Sequence, residues 1–255
     1  MKLKIVLASA GNITLPRNYN HILQSWLYNQ ISDPAYQAFL HDQGFSFEKR
    51  KFKMFTFSRL LGRWALDPAK KNMIFGNHVT LYIASPLLPL MEEVAFTLLS
   101  GLQTRLGTNQ VIVSEIQSDG DDVLPSGTHK WRISALSPIV AYSTLTNNGK
   151  KETRYYRPDE PEFNALVKSN LQKKSSILLD EGLAKYGPLT GDFVLRPLFD
   201  PAKTGSTALY YKEFFIRGYM GKYEVECDAC WMRVALDTGL GSKNAQGLGM
   251  VELVE

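Results

Sequence analysis

Cysteine is scarce in this chain, and the scarcity narrows its chemistry. Two of the 255 residues are cysteine, Cys227 and Cys230, and they form one C-x-x-C pair. A disulfide framework uses more cysteines, and a four-ligand zinc site needs a second pair, which the four histidines are not spaced to supply. A redox dithiol stays open, although the βαβ context of a thioredoxin motif is missing. We therefore expect no metal site and no cofactor.

Long apolar runs are also missing. No segment approaches the roughly 18 consecutive apolar residues of a membrane-spanning helix. Residues 1–10 superficially resemble a signal peptide, but the alternation around Leu3, Ile5 and Leu7 favours a first β-strand. We expect a cytoplasmic protein without membrane attachment.

The charge balance lacks a strong excess of either sign. The chain has 29 basic and 25 acidic residues, a net charge of +4, and 44% of its residues are hydrophobic. This composition is that of a folded protein with an ordinary core. It permits a polyanionic partner, and a binding surface for one would have to be local.

Glycine is concentrated near the end of the chain, in residues 239–249, which we call the glycine loop. Two Gly-Leu-Gly triplets flank Lys243 and Asn244; the four glycines are Gly239, Gly241, Gly247 and Gly249. Glycines allow close approach and uncover N–H groups, lysine adds positive charge, and asparagine can donate or accept. The spacing is neither that of a P-loop nor that of a dinucleotide fingerprint. The loop predicts contact with a phosphate of a nucleotide or nucleic acid, with a flexible turn as the alternative.

Hydrophobic periodicity predicts the same order of elements twice. The first set comprises a strand at 2–9, helices at 18–31 and 34–41, strands at 51–58 and 78–84, a helix at 88–101 and a strand at 110–117. A linker near 118–127 follows. The second set comprises strands within 130–145, a helix at 160–179, a strand at 191–198, a strand or hairpin at 207–226, a helix at 228–238 and a strand at 249–254. The pattern predicts an α+β fold of tandem ferredoxin-like (RRM-like, βαββαβ) domains, 1–125 and 126–255.

A second informative region lies between residues 14 and 60. Tyr28 falls near the edge of the apolar face of a predicted helix, His41 precedes a turn at Gly44, and the basic run 49–53 leads into a strand. Each residue alone has an ordinary structural explanation. Together they suit RNA cleavage without a metal: one group removes the proton of a 2′-hydroxyl, another protonates the leaving 5′-oxygen, and a cation such as Lys53 stabilises the transition state.

The glycine loop resembles the glycine-rich signature of the CRISPR-associated repeat endoribonucleases of the RAMP superfamily, which cut precursor CRISPR RNA. The helix entry at 15–31 and the strand at 55–58 are similar to that family too. The resemblance implies cleavage within each repeat, without a metal, to leave a 2′,3′-cyclic phosphate or phosphate end. It gives Tyr28, His41 and Lys53 the catalytic positions, with Lys51 as an alternative cation.

The resemblance also implies an RNA partner, the CRISPR repeat, bound mainly through phosphates. The expected contacts are the glycine loop with Lys243 and Asn244, and the basic residues Lys49, Arg50, Lys51, Arg59, Arg196 and Arg217. A homodimer and a CRISPR effector complex are both open. Two other functions remain: a non-catalytic RNA-binding subunit of an effector complex, and an enzyme or sensor that holds a small phosphorylated ligand.

Overall fold

The computed structural model describes residues 1–254 except residues 68, 70, 102, 121, 122, 148, 212 and 213. The first ten strands are β1 (Lys2–Ala8), β2 (Ile13–Pro16), β3 (Phe45–Phe47), β4 (Arg50–Phe52), β5 (Thr56–Phe57), β6 (Trp64–Asp67), β7 (Asn72–Phe75), β8 (His78–Ala84), β9 (Gln103–Leu106) and β10 (Asn109–Asp119). The helices among them are α1 (Asn20–Tyr28), α2 (Pro34–Ala38) and α3 (Leu88–Ser100), and a π-helical turn, Phe39–Gln43, follows α2 directly.

The later strands are β11 (Thr128–Ala135), β12 (Tyr142–Asn147), β13 (Lys150–Tyr155), β14 (Val194–Pro197), β15 (Thr207–Tyr211), β16 (Phe214–Gly218), β17 (Lys222–Asp228) and β18 (Val251–Leu253). The later helices are α4 (Pro161–Asp180), α5 (Pro201–Thr204) and α6 (Ala229–Thr238), with short 3-10 turns at Ala184–Tyr186 and Asn244–Gln246.

Two antiparallel sheets organise the fold. The strand order is β5-β8-β1-β10-β9 in the first sheet and β14-β17-β11-β18 in the second. Apart from β9, which forms a hairpin with β10, both orders are those of a βαββαβ unit, with α1 and α3 as the helices of the first unit and α4 and α6 as those of the second. The predicted tandem ferredoxin-like fold is confirmed. The division of the chain at residue 125 stays a prediction.

The core arises from the alternation seen in the sequence. In β1, Leu3, Ile5 and Leu7 are buried, whereas Lys2 and Lys4 are partly exposed and pair with acidic residues of β10. A strand places successive side chains on opposite faces, so one face of the sheet is apolar and the other polar. Most of the buried apolar residues of both sheets belong to one continuous cluster. The two βαββαβ units therefore pack against each other through apolar contacts.

The predicted strand at 51–58 is not continuous. Its beginning pairs with β3 as β4, and its end pairs with β8 as β5. Between them Met54 adopts a left-handed backbone conformation, φ 55°. Such a conformation is uncommon for a residue with a side chain and turns the chain from one pairing to the other. Residues 51–53 are thereby directed towards the π-helical turn.

Three further expectations differ in extent from the structure. The first helix is shorter than predicted and ends at Tyr28, and the segment predicted as a strand or hairpin at 207–226 contains three strands, β15, β16 and part of β17. At the predicted linker, β10 continues to Asp119, while Asp121 and Asp122 lie outside the described residues.

Candidate functional site

A cleft of about 880 Å³ is formed by the end of α1, the segment 50–55, α4 and the glycine loop. Among the described residues that line it, five are basic and none is acidic. The basic residues are Arg50, Lys51, Lys53, Lys174 and Lys243. Because the whole chain has only a small basic excess, this cleft concentrates positive charge in one place, as an anion-binding surface requires.

Tyr28 and His41 meet at one end of this cleft. Their ring centroids are 5.1 Å apart and nearly perpendicular, and the Tyr28 ring also packs edge-on against Phe55 at 5.7 Å. Tyr28 is buried, and its hydroxyl donates to the carbonyl of Leu40 at 3.4 Å. The π-helical turn places His41 beside it; such turns often occur at functional sites because they redirect side chains within a helix.

The imidazole of His41 is oriented by its neighbour in sequence. Its Nδ1 lies 2.6 Å from a carboxylate oxygen of Asp42, and the side chain is 65% exposed. Its Nε2 makes no hydrogen bond within the part of the chain that the structure describes. A carboxylate on one ring nitrogen fixes the ring and leaves the other nitrogen for proton transfer.

Lys53 lies at the end of the same turn. Its ammonium donates to the carbonyl of His41 at 2.8 Å, and that of Lys51 donates to the carbonyl of Asp42 at 3.3 Å. Carbonyls at a helix end attract cations. A Cβ on Gly44 would lie 2.5 Å from the carbonyl oxygen of Phe52, so only glycine lets the two segments approach this closely. The structure brings together Tyr28, His41 and Lys53, with Lys51 next to them.

Two of these groups have altered proton affinities. Burial raises the pKa of Tyr28 far above its ordinary value, and the nearby Tyr211 and Asp42 raise it further. Burial lowers the pKa of Lys53, as does the neighbouring Lys51, whereas Asp42 opposes that change. Tyr28 therefore stays a protonated phenol at neutral pH, which can donate a hydrogen bond or a proton but is a poor base.

The glycine loop is packed inside the protein. All four glycines are buried and have positive φ values: 79° at Gly239, 68° at Gly241, 75° at Gly247 and 74° at Gly249. A Cβ on Gly249 would overlap the carbonyl oxygen of Leu240, and one on Gly247 would overlap the ring of Phe57. The close approaches that the sequence predicts do occur, but they are made by the protein's own backbone and side chains.

The expectation of uncovered glycine amides is therefore wrong for three of the four glycines. The amides of Gly239, Gly247 and Gly249 donate to protein carbonyls, each at 2.9 Å, and Gly241 lies directly against the backbone of Val140. A backbone N–H carries a single proton, so an amide already bound to a carbonyl has little left for a phosphate. Lys243 and Asn244 both line the cleft, but the side-chain amide of Asn244 is already paired within the protein, so of these two expected contacts only that of Lys243 stays a prediction.

The Asn244 side chain connects the two Gly-Leu-Gly triplets through hydrogen bonds. Its amide nitrogen donates to the carbonyls of Leu240 and Leu248, both at 3.0 Å. Its amide oxygen accepts from the ammonium of Lys174 at 2.6 Å, and the same ammonium donates to the carbonyls of Thr238 and Gly239 at 3.2 and 2.7 Å. Lys174 is thus fully paired although it is buried, and burial lowers its pKa well below the ordinary value.

The glycine loop also connects the two βαββαβ units. The side chain of Asn20 donates to the carbonyls of Gln246 and Gly247 at 2.9 and 3.1 Å, and that of Gln24 donates to the carbonyl of Ala245 at 2.6 Å. Both donors lie on α1, the helix that ends at Tyr28. The loop therefore helps to fix the position of the helix that carries Tyr28 relative to the second sheet.

Four of the predicted phosphate contacts do not line the cleft: Lys49, Arg59, Arg196 and Arg217. Arg59 stacks over the ring of Tyr19 at 5.2 Å, and Arg217 lies 5.8 Å from the ring centroid of Phe215 on β16. Arg196 pairs with Glu224 at 3.5 Å and with Glu226 at 3.2 Å on the polar face of the second sheet. The structure does not bring these arginines to Tyr28 and His41.

The sequence reasoning missed the side chains that α4 contributes to the cleft. Leu166, Asn170 and Lys174 line the cleft at intervals of four residues. A helix places such residues on one face. The signal was present in the sequence, because two polar residues interrupt the apolar pattern of a helix whose Phe163, Val167 and Leu171 are buried.

Two negative findings apply to the described residues only. No group of three or more histidine, cysteine, aspartate or glutamate side chains is placed so that it could hold a metal ion. No helix combines the length and the apolar character needed to cross a membrane.

The structural likeness to solved proteins covers the whole chain. A structure described as "Characterization of a Cas6-related gene from Pyrococcus furiosus" superposes with a TM-score of 0.81 at 20% identity and covers 100% of this chain and 98% of that one. A second, "An RAMP protein binding different RNA substrates", gives a TM-score of 0.78 at 22% identity over 100% of both chains. At these identities the likeness shows the fold.

The sequence comparisons show the family. The chain is 25% identical over 258 residues to CRISPR-associated endoribonuclease Cas6 1 of Methanocaldococcus jannaschii, covering 100% of this chain and 93% of the relative. It is 25% identical over 253 residues to CRISPR-associated endoribonuclease Cas6 of Pyrococcus furiosus, covering 94% and 83%. Residues 14–117 match the family model of the Cas6 N-terminal part, and residues 123–253 match that of the Cas6 C-terminal part. The predicted resemblance is confirmed, and the chain belongs to the Cas6 family of CRISPR-associated proteins.

Proposed function

We propose that this protein is an endoribonuclease that cuts precursor CRISPR RNA within its repeats. The observation that carries the proposal is the meeting of Tyr28, His41 and Lys53 at the end of a basic cleft. Relatives of similar length are named CRISPR-associated endoribonucleases, which supports the same reaction class. A histidine, a phenol and an ammonium are sufficient for RNA cleavage by general acid–base catalysis, so the proposal requires no metal.

The proposed reaction is attack of a 2′-hydroxyl on its own adjacent phosphorus. His41 Nε2 removes the hydroxyl proton, the new 2′-O–P bond forms, and the P–O5′ bond breaks to leave a 2′,3′-cyclic phosphate and a 5′-hydroxyl. Tyr28 donates the proton to the departing oxygen, because its raised pKa disfavours the role of base and a phenol is still a stronger acid than an alcohol. Lys53 stabilises the negative charge on the non-bridging oxygens.

The test uses a repeat RNA from the CRISPR array of the same genome, incubated with the protein in EDTA. We expect cleavage, and we expect His41→Ala to slow it by about 10²- to 10⁴-fold with unchanged RNA affinity, which is the usual contribution of a general base. His78→Ala is the matched control, since His78 is an exposed histidine on β8 that does not line the cleft. A 2′-deoxy sugar at the cut site should abolish cleavage and leave binding intact. RNA that the wild type leaves uncut in EDTA would refute the mechanism, as would undiminished cutting by His41→Ala.

A non-catalytic RNA-binding subunit is the second candidate. The observation in its favour is that the Tyr28 hydroxyl is buried and donates its one proton to the Leu40 carbonyl, so this proton already has a protein acceptor. Such a protein would bind the repeat tightly and leave it intact in the assay above. Association into a homodimer or an effector complex stays a prediction of the family resemblance.

A further inference from the structure

The wall that α4 contributes to the cleft contains an unpaired polar atom. Asn170 is 6% exposed, and its amide oxygen is buried without a hydrogen-bond partner among the described residues. Buried side-chain oxygens in folded proteins are nearly always paired, because leaving one unpaired costs about 1–3 kcal/mol. One helical turn further on, Lys174 has three hydrogen bonds, so the polar part of this wall is otherwise fully paired.

A second unpaired oxygen lines the same cleft. The amide oxygen of Gln246, at the tip of the glycine loop, also lacks a partner among the described residues. The third such atom in the described part of the chain belongs to Asn20, which lies outside the cleft lining and uses its amide nitrogen to hold the glycine loop. Two of the three unpaired oxygens therefore belong to side chains that line the cleft.

The chemistry of these atoms differs from that of the basic residues around them. Lysine and arginine side chains donate hydrogen bonds and attract phosphate, whereas an amide oxygen only accepts. A phosphodiester has no proton to offer such an oxygen. Ribose 2′-hydroxyls and nucleobases both do. Of the two, only the nucleobases differ with sequence, through exocyclic amines and ring N–H groups on their Watson–Crick edges, and unpaired RNA presents these edges to proteins.

On this basis, and resting on the proposed RNA-cleaving function, we propose that Asn170 is a sequence-determining residue that accepts a hydrogen bond from the N–H of one unpaired nucleobase held in the cleft. The surrounding Arg50, Lys51 and Lys243 position the backbone of that strand. Gln246 lines the same cleft. The geometry thus separates the contacts that give affinity from the contact that gives sequence preference.

The test compares wild type with Asn170→Leu, which has a similar volume and no polar atom. Each protein is equilibrated with a randomised pool of single-stranded RNA, and sequencing of the bound fraction gives the base preference at every position. In the wild type we expect at least one position with a preference of about 5- to 150-fold, the range of a good base contact. Asn170→Leu should lose the preference at one such position and keep the others. The affinity of Asn170→Leu for the pool should fall with rising salt concentration as steeply as that of the wild type.

Two controls make the result specific. Lys243→Gln should weaken binding to every sequence equally and reduce the salt dependence, because it removes a phosphate contact and no base contact. Asn170→Leu should melt at or above the temperature of the wild type, since an unpaired buried oxygen is removed. A preference profile unchanged in Asn170→Leu, or no preference in the wild type, overturns the proposal.

The two proposals fail in different ways. A wild type that binds with a base preference sensitive to Asn170 but never cuts RNA would contradict the enzyme and leave base recognition standing. Cleavage of repeat RNA with an unchanged preference profile in Asn170→Leu would contradict base recognition and leave the enzyme standing.

Discussion

The replacement of Gly249 by alanine tests whether the glycines of the glycine loop serve packing or RNA contact. Gly249 has φ 74°, and a Cβ there would overlap the carbonyl oxygen of Leu240. Gly182, after α4, has nearly the same φ, 75°, and a Cβ added to it would meet no heavy atom within 4 Å. Comparing Gly249→Ala with Gly182→Ala therefore separates two losses in the free energy of unfolding, that from a left-handed backbone at alanine and that from steric overlap.

The expected magnitudes follow from the contacts. Gly182→Ala carries only the left-handed strain, about 1–2 kcal/mol. Gly249→Ala carries the same strain and must also displace the Leu240 carbonyl, which disturbs the hydrogen bond from Leu240 N to Gly249 O at 2.7 Å and that from Asn244 to Leu240 at 3.0 Å. Each buried group left unpaired costs about 1–3 kcal/mol. We expect Gly249→Ala to be destabilised by about 4 kcal/mol or more.

Thermal denaturation followed by circular dichroism measures the difference. For a protein of this size about 1 kcal/mol corresponds to a shift of about 2–4 °C in melting temperature, so Gly249→Ala should melt about 6–12 °C below Gly182→Ala. Equal melting temperatures would refute the packing explanation. If Gly249→Ala then lost RNA affinity while remaining as stable as Gly182→Ala, the glycine would serve RNA instead.

Three further predictions concern the lysines of the cleft. If protonated Lys53 stabilises the transition state, cleavage should fall as pH rises through the pKa of Lys53, which burial places below the ordinary 10.5. Lys53→Arg should retain activity at that pH because arginine stays charged. A pH profile of Lys53→Arg that matches the wild type would count against this role. Lys243→Gln should reduce the slope of log affinity against log salt by about 0.7, whereas Arg196→Gln should not, and equal slopes would contradict the placement of the RNA. Lys174→Met should lower the free energy of unfolding, measured by urea denaturation, by about 2–4 kcal/mol, because three oxygens lose their hydrogen-bond donor. Lys173→Met is the control. A loss no greater than that of Lys173→Met would show that the hydrogen bonds of Lys174 contribute little.

Periodicity in the sequence is enough to predict the fold. The apolar residues of β1 alternate, those of α4 recur every three or four residues, and the order of elements repeats, so the two βαββαβ units follow from local patterns. Boundaries are harder to predict. The break at Met54 depends on which neighbour each end of the segment pairs with, β3 or β8, and no local pattern encodes that choice.

The site is predictable in part, and the reason lies in what each residue contacts. Residue type and the family resemblance together point to Tyr28, His41 and Lys53, and the structure places them together. The prediction that Arg59, Arg196 and Arg217 contact phosphates rests on their charge alone. Charge does not tell where a side chain lies or whether an acidic partner already holds it, as Glu224 and Glu226 hold Arg196.

The order of the amino acids predicts that the glycines near the chain end lie close to something that a side chain would displace, with a flexible turn as the alternative. It does not show what that neighbour is. Phe57 and Val140 come from two other parts of the chain and meet the loop only in the folded protein, whereas the Leu240 carbonyl belongs to the loop itself. The same packing creates the cleft and gives Asn170 and Lys174 their surroundings, which residue types alone do not specify.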